Sequence, residues 1–260
     1  MWIYDLNPTL LHVGPLEIRW YGLVYAFGFF FTVYWLLYQQ KRGAINLSKD
    51  EIWDFTFYAM LGVLIGSRLF MIFWDPQIFL LHPLNLFKFW EGGMSFHGGL
   101  VGIITASWLY CRKKKINFWQ LADVCAFPAM IALALGRVAN FINGELVGRI
   151  WNGSWCVVFP EYGQRCRHPN MIYSAGQRFM VAGWIFFLNF RTQFKPGFIF
   201  WNLVFLEGIG RFLMDFFRED VLYWGLSLGQ GFSLVMIIIS FGAFGKYYQQ
   251  EWAKVFKSQP

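Results

Sequence analysis

Seven stretches of the chain are almost continuously apolar, and polar residues collect between them. They cover residues 20–39, 53–74, 94–111, 121–141, 171–190, 198–217 and 226–246. Each is close to the roughly 20 residues that carry a helix across a bilayer core. The third is short and Gly-rich, and the fourth ends in a polar run. A membrane barrel would instead alternate apolar and polar positions over about ten residues per strand. The pattern therefore predicts an all-α integral membrane protein with seven transmembrane helices. No long internal repeat or low-complexity linker interrupts it, so residues 1–260 read as a single polytopic membrane domain.

The basic residues alternate in step with these segments. Lys41, Arg42 and Lys49, then Arg112 to Lys115, then Arg191 and Lys195, then Lys246, Lys254 and Lys257 all fall on one side if every segment crosses. Cytoplasmic loops carry such an excess. This orients the N-terminus to the periplasm and the C-terminus to the cytoplasm, with an outward loop over about 142–170. The start, Met1-Trp2-Ile3-Tyr4-Asp5, lacks a basic region, so no cleaved signal peptide is expected.

Composition strengthens the membrane reading. The 260 residues are 57% hydrophobic, 22% aromatic and only 14% charged. A soluble domain has about 25% charged residues. Disordered, collagen-like and small disulfide-scaffold chains are excluded. The net charge of +7 is assigned to cytoplasmic loops, and no nucleic-acid partner is expected. Cys111 and Cys125 read as packing residues. Cys156 and Cys166 share the outward loop, where an oxidising exterior permits a disulfide and two free thiols are the alternative. None of the four cysteines has metal-site spacing. Gly62/Gly66 and Gly98/Gly102 have the spacing that lets helices approach closely.

Charge inside an apolar segment is costly and marks function or a buried pair. Arg68, Arg137, Arg178 and Arg211 fall within or near segment ends, with Asp54, Asp123, Glu145, Glu207 and Asp215 as available partners. From Gly136 to Arg149 the chain packs Arg137, Asn140, Asn143, Glu145 and Arg149 together, and a helix would put Arg137, Asn140 and Gly144 on one face. A guanidinium fork matches a phosphate, and Asn and Glu can orient it or bond glycerol hydroxyls. At headgroup depth such a site suits a phospholipid. Glu207, Arg211 and Asp215 follow at four-residue steps, with Arg218 beyond. They read as an internal ion-pair ladder or as a second phosphate clamp. His97, in Gly92-Gly93-Met94-Ser95-Phe96-His97-Gly98-Gly99-Leu100, is a helix-end hydrogen bonder or a general base with room for a ligand beside Gly98 and Gly99. Tyr21 sits at an interface-belt position.

These motifs resemble one family, the bacterial prolipoprotein diacylglyceryl transferases. The Gly136–Gly148 stretch resembles its Gly-Arg-x-x-Asn-Phe-x-Asn-x-Glu-x-x-Gly signature, and Ser95-Phe96-His97-Gly98-Gly99-Leu100 resembles its His-Gly-Gly-Leu element. Arg19-Trp20-Tyr21-Gly22-Leu23, Arg167-His168-Pro169, Arg211 to Arg218 and Gly229-Gln230 resemble further elements. The resemblance implies a seven-span enzyme of the bacterial inner membrane. It would transfer the diacylglyceryl group of phosphatidylglycerol to the lipobox Cys thiol of prolipoproteins, form a thioether and release glycerol phosphate, with no metal or soluble cofactor. Arg137 and Arg211 would hold the phosphate and His97 would be the base. Tyr21, Asn140 and Glu145 would shape the pocket, and Asn143, Gly98, Gly99, Glu207, Asp215 and Arg218 are further candidate substrate contacts.

Three positions depart from the family pattern. Ser174 stands where an acid is usual, Glu207 where Tyr is usual, and Asp215 where Glu is usual. Either a carboxylate has moved between helices, or the chain is an altered-specificity or non-catalytic lipid- or lipoprotein-binding relative. A transporter ranks below both, because the polar residues gather at the outer ends of the segments rather than along a path across the bilayer.

Overall fold

The computed structural model describes residues 2–13, 16–74, 76, 94–191 and 193–256. Gly92, Gly93, Lys257 and Met1 lie outside the described residues. Eight α-helices are present among them: α1 (Trp20–Lys41), α2 (Lys49–Trp74), α3 (Phe96–Lys114), α4 (Phe118–Ile142), α5 (Asn170–Arg191), α6 (Phe198–Met214), α7 (Leu228–Tyr247) and α8 (Gln249–Phe256). The first seven match the seven apolar segments. Four of them, Trp20–Lys41, Lys49–Phe73, Phe118–Ile142 and Leu228–Tyr247, are long and apolar enough to cross a membrane. The others fall short for identifiable reasons. At 1.5 Å per residue α6 is only about 25 Å long, against about 30 Å of hydrocarbon. It continues as a 3₁₀ turn, Asp215–Phe217. Helix α3 carries glycines and a basic last turn, and α5 carries Asn170, Gln177 and Arg178.

Helix ends follow capping chemistry rather than hydropathy. The apolar run of α2 begins at Trp53, but Ser48 and Glu51 form a reciprocal cap that starts the helix earlier: Glu51 N donates to Ser48 Oγ (3.2 Å) and Ser48 N to Glu51 Oε2 (2.9 Å). The helix α4 stops at Ile142, where Gly144 takes φ +67°. Gly144 is therefore past the helix end and packs against the Tyr4 ring. It does not share a helical face with Arg137 and Asn140, because the left-handed turn reverses the chain.

Seven short strands are present among the described residues, three before α1 and four between later helices: β1 (Trp2–Ile3), β2 (Thr9–Val13), β3 (Leu16–Arg19), β4 (Val157–Val158), β5 (Cys166–Arg167), β6 (Leu222–Tyr223) and β7 (Leu226–Ser227). β1 pairs parallel with β4, which pairs antiparallel with β5. β2–β3 and β6–β7 are hairpins. A disulfide joins Cys156 and Cys166 across a Cα separation of 5.5 Å.

The chain forms two compact units, residues 1–31 with 122–260, and residues 32–121. In the second, α2 and α3 approach closely along their glycines. A Cβ placed on Gly102 would lie 1.9 Å from Gly62 O, and one on Gly98 would lie 2.3 Å from Gly66 O. Lipid gives helices no hydrophobic incentive to associate, so this small-residue seam supplies van der Waals contact instead. In the first unit, Met130, Ile185, Leu188, Phe198, Phe244 and Val255 form a core among α4 to α8. Asp123 of α4 is buried there. Its carboxylate accepts from Gly197 N and Phe200 N at 2.7 Å each, capping the start of α6. Asp123 is thus a helix cap rather than the partner of an intramembrane arginine.

Candidate active site

The first unit gathers two of the polar clusters at the same ends of α4, α5 and α6. At the end of α4 the turn over Asn143 and Gly144 folds the chain back, and Glu145 N donates to Asn140 O (3.1 Å). This returns the Glu145 carboxylate to the helix, where Oε1 accepts from Asn140 Nδ2 (2.8 Å) and from Asn143 Nδ2 (3.4 Å). Asn140 Nδ2 also donates to the Tyr21 hydroxyl, from the first turn of α1. Asn140 Oδ1 accepts from Arg137 Nη1 (3.5 Å). Tyr21, Arg137, Asn140, Asn143 and Glu145 are therefore one network centred on a buried amide. Tyr4 holds its floor: its hydroxyl donates to Ile142 O, and burial raises its pKa, so it stays a neutral donor.

At the end of α6, Arg211 Nε pairs with Asp215 Oδ1 at 3.1 Å. Asp215 is buried, and its other oxygen accepts from Ser227 Oγ (2.9 Å). Ser227 is also the N-cap of α7, in a capping box with Gln230. Gly229 leaves room for this arrangement, because a Cβ there would come within 2.2 Å of Asp215 Oδ2 and 2.8 Å of Arg211 Nη2. Arg211 keeps about a quarter of its side chain exposed.

A buried ion pair joins α5 and α6. Arg178 of α5 donates to Glu207 of α6, and its Nη1 donates to Ser174 O (3.4 Å). Glu207 thus turns to α5, while Asp215 holds Arg211. The three residues at four-residue steps do not form one continuous ladder. Arg218 pairs with Asp220 (3.1 Å), and its carbonyl accepts from Arg149 Nε (2.8 Å). Arg167, from β5, donates to Glu219 and to Gly148 O (3.2 Å). These bonds stitch segment 142–170 to the turn after α6.

Arg178, Arg211 and Arg218 all lie within electrostatic range of Arg137, as does the Glu207 carboxylate. Guanidinium groups from α4, α5 and α6 thus share one compact unit, a set of fork-shaped donors suited to a phosphate. An open apolar groove of about 320 Å³ runs along α5, α6 and α8, lined by Met180, Val181, Trp184, Asn202, Phe205, Leu206 and Trp252.

His97, Gly98 and Gly99 stand in the other unit. His97 is exposed in the first turn of α3, whose cap Ser95 accepts from Gly98 N (3.3 Å). Gly98 serves the close seam with α2, so its missing side chain is explained by packing. Sequence reasoning missed Ser227 and Tyr4. The Ser227-x-x-Gln230 spacing was a readable capping signal. Nothing local marked Tyr4, whose partner is far along the chain.

The family model for prolipoprotein diacylglyceryl transferase matches residues 8–245. A phosphatidylglycerol–prolipoprotein diacylglyceryl transferase of Geobacter sulfurreducens is 40% identical over 240 residues, covering 90% of this chain and 92% of its own length. One from Aeromonas salmonicida is 38% identical over 244 residues, covering 91% and 89%, and one from Idiomarina loihiensis is 40% identical over 245 residues, covering 90% of each.

Proposed function

The chain belongs to the prolipoprotein diacylglyceryl transferase family, and from that premise we propose that it transfers the diacylglyceryl group of phosphatidylglycerol to the lipobox Cys thiol of prolipoproteins. The observation that carries this reading is the presence in one compact unit of Arg137, held by the neutral Asn140 amide, and Arg211, held by buried Asp215.

In this reading the first seven helices, α1 to α7, cross the bacterial inner membrane as one polytopic domain, the N-terminus is periplasmic and the C-terminus cytoplasmic. The short α6 reaches the outer boundary through its 3₁₀ extension. Arg137 and Arg211 grip the lipid phosphate at headgroup depth. Asn140 orients Arg137 and is itself held by Tyr21 and by Glu145, which Asn143 also bonds; Asp215 holds Arg211, and Arg218 adds positive field.

The reaction forms a bond from the thiol sulfur to the glyceryl carbon that bears the phosphate. The carbon–oxygen bond breaks, its electron pair goes to the phosphate oxygen, and glycerol phosphate leaves. Charge grows on that phosphate in the transition state, so prearranged cationic donors lower the barrier. The thiol must lose a proton to attack. The family resemblance, not its place in the fold, makes His97 our proposed base for that proton.

The Ser174 departure is accounted for by the Arg178–Glu207 pair. Residue 174 lies one turn before Arg178, so an acid there would reach the same guanidinium. Glu207 supplies that carboxylate from α6 instead. This favours a compensated enzyme over a non-catalytic relative.

The test is direct. Purified protein in phosphatidylglycerol vesicles is given a synthetic lipobox peptide, and the peptide mass is measured. The expected product carries a diacylglyceryl thioether. No product with any phospholipid would overturn the proposal.

A further inference from the structure

The β6–β7 hairpin has a tip that local backbone preference does not explain. Its two-residue turn is Trp224-Gly225, with φ +50° and +85°. A turn with both central residues left-handed favours Asn-Gly or Gly-Gly, and a bulky side chain at the first position is an outlier. Here the sequence places a tryptophan, at 106% relative exposure. Val221, Leu222, Tyr223 and Leu228 around it are exposed as well. Strained backbone that persists points toward a use for the side chain it presents.

Composition says what covers it. No charged residue occurs from Val221 to Gly245, so the hairpin belongs to the same uncharged run as α7. Charges resume only at Asp220 on one side and Lys246 on the other. The hairpin joins the end of α6 to the start of α7, and its tip therefore lies near the level where those helices leave the hydrocarbon. Trp and Tyr suit the boundary between acyl chains and headgroups, where one end of the ring is dry and the other wet. Two-residue strands are too short to recruit a peptide by strand addition, and the tip has no charge with which to read one.

We propose that this hairpin is a membrane anchor. Trp224, with Val221, Leu222 and Tyr223, seats in the outer leaflet at the headgroup boundary. The base of the same hairpin is bonded to the candidate site, since Ser227 Oγ donates to Asp215 and Asp215 pairs with Arg211. Anchoring the tip thereby sets the depth at which Arg211 meets a lipid phosphate. The inference rests on the outward placement of this end of α6 and α7 proposed above.

The experiment uses full-length protein with Cys111→Ser and Cys125→Ser, carrying either Trp224→Cys or Glu161→Cys labelled with an environment-sensitive fluorophore. In phosphatidylglycerol–phosphatidylcholine vesicles the label at 224 should emit to the blue, be quenched by phospholipids brominated high on the chain, and resist iodide. The label at the exposed position 161 should show the opposite pattern. Iodide quenching at 224 equal to that at 161 overturns the anchor. Protection at 224 that appears only when a lipobox peptide is added also overturns it, in favour of a peptide. In spheroplasts an impermeant maleimide should label position 161. Failure there overturns the topology, whereas labelling at 161 with a water-exposed 224 overturns the anchor alone. Activity gives an independent reading. Trp224→Asn suits the left-handed turn and should fold normally. Its turnover of dispersed short-chain phosphatidylglycerol should be unchanged, while its KM for vesicle lipid should rise several-fold at unchanged kcat. An unchanged vesicle KM overturns the proposal.

Discussion

A single side chain, Asn140, decides how Arg137 is presented. Its amide nitrogen serves Tyr21 and Glu145 while its oxygen receives Arg137. Arg137 is thus oriented by a neutral acceptor, whereas Arg211 and Arg178 each have a carboxylate bound. A phosphate gains most from the guanidinium whose hydrogen-bond partner is uncharged. Arg137→Ala should therefore lower transfer by ~10²–10³-fold or more while membrane insertion stays intact. Arg137→Lys keeps the charge and loses the fork, and should fall between. Turnover in vesicles, with insertion checked by protease protection, measures both, and near-normal turnover of the alanine variant would remove the phosphate-holding role. Glu207 makes a different prediction. Removing one partner of a buried pair costs ~3–5 kcal/mol, so Glu207→Tyr alone should strongly destabilise the protein by leaving Arg178 without its carboxylate. Adding Ser174→Glu restores an acid one turn from Arg178, and the double variant should recover stability and turnover. A double variant as inactive as the single would mean that Glu207 has a local role position 174 cannot fill.

Helices are where the sequence was most readable. In hydrocarbon every backbone polar group must be satisfied inside its own helix, so hydropathy and helix location coincide. The ends were less readable, because the Ser48–Glu51 cap and the left-handed Gly144 turn act beyond the apolar zone. Contacts between helices were least readable. Asp123 looks like a stray intramembrane acid until α6, distant in sequence, brings it two backbone donors. Asp123→Ala should lower stability by ~1–2 kcal/mol, read as a fall in thermal midpoint in detergent with little change in KM. The start of α7 offers a sharper contrast. Gly229 abuts the Arg211–Asp215 pair, while a Cβ on Gly231 would meet nothing within 4 Å. Both replacements by Ala change helix propensity alike, so only Gly229→Ala should raise the KM for phosphatidylglycerol. Equal kinetics for the two variants would detach α7 from the positioning of Arg211.

At the scale of the molecule, segment 142–170 is tied to the end of α6, and almost none of its ties were visible in sequence because their partners are distant. Arg167 reaches Glu219 and Gly148, and Arg149 reaches Arg218. The Cys156–Cys166 disulfide closes a short loop inside it, across a sequence separation of 10. Constraining a loop of that length removes unfolded-state entropy equivalent to ~3 kcal/mol. His168 adds a pH-dependent element. Its ring stacks on Trp151 with centroids 4.3 Å apart, and its Nδ1 lies 3.2 Å from the Tyr173 hydroxyl. Burial lowers its pKa below the ordinary 6.5. A lowered folded-state pKa means that the unfolded chain binds the proton more readily, so stability is complete above about 6.5 and falls as the pH drops through the folded value. Protection factors of residues 148–168, which divide out the intrinsic slowing of exchange in acid, should fall from pH 7.5 to 5, and His168→Phe should flatten that dependence by removing the titrating group while retaining the ring stack. In the Cys156→Ser/Cys166→Ser protein the same residues should exchange faster at every pH, with the slope owed to His168 unchanged, because the cross-link acts on chain entropy and the imidazole on charge. A slope that vanished with the disulfide would mean that the cross-link, and not burial against Trp151, keeps His168 neutral.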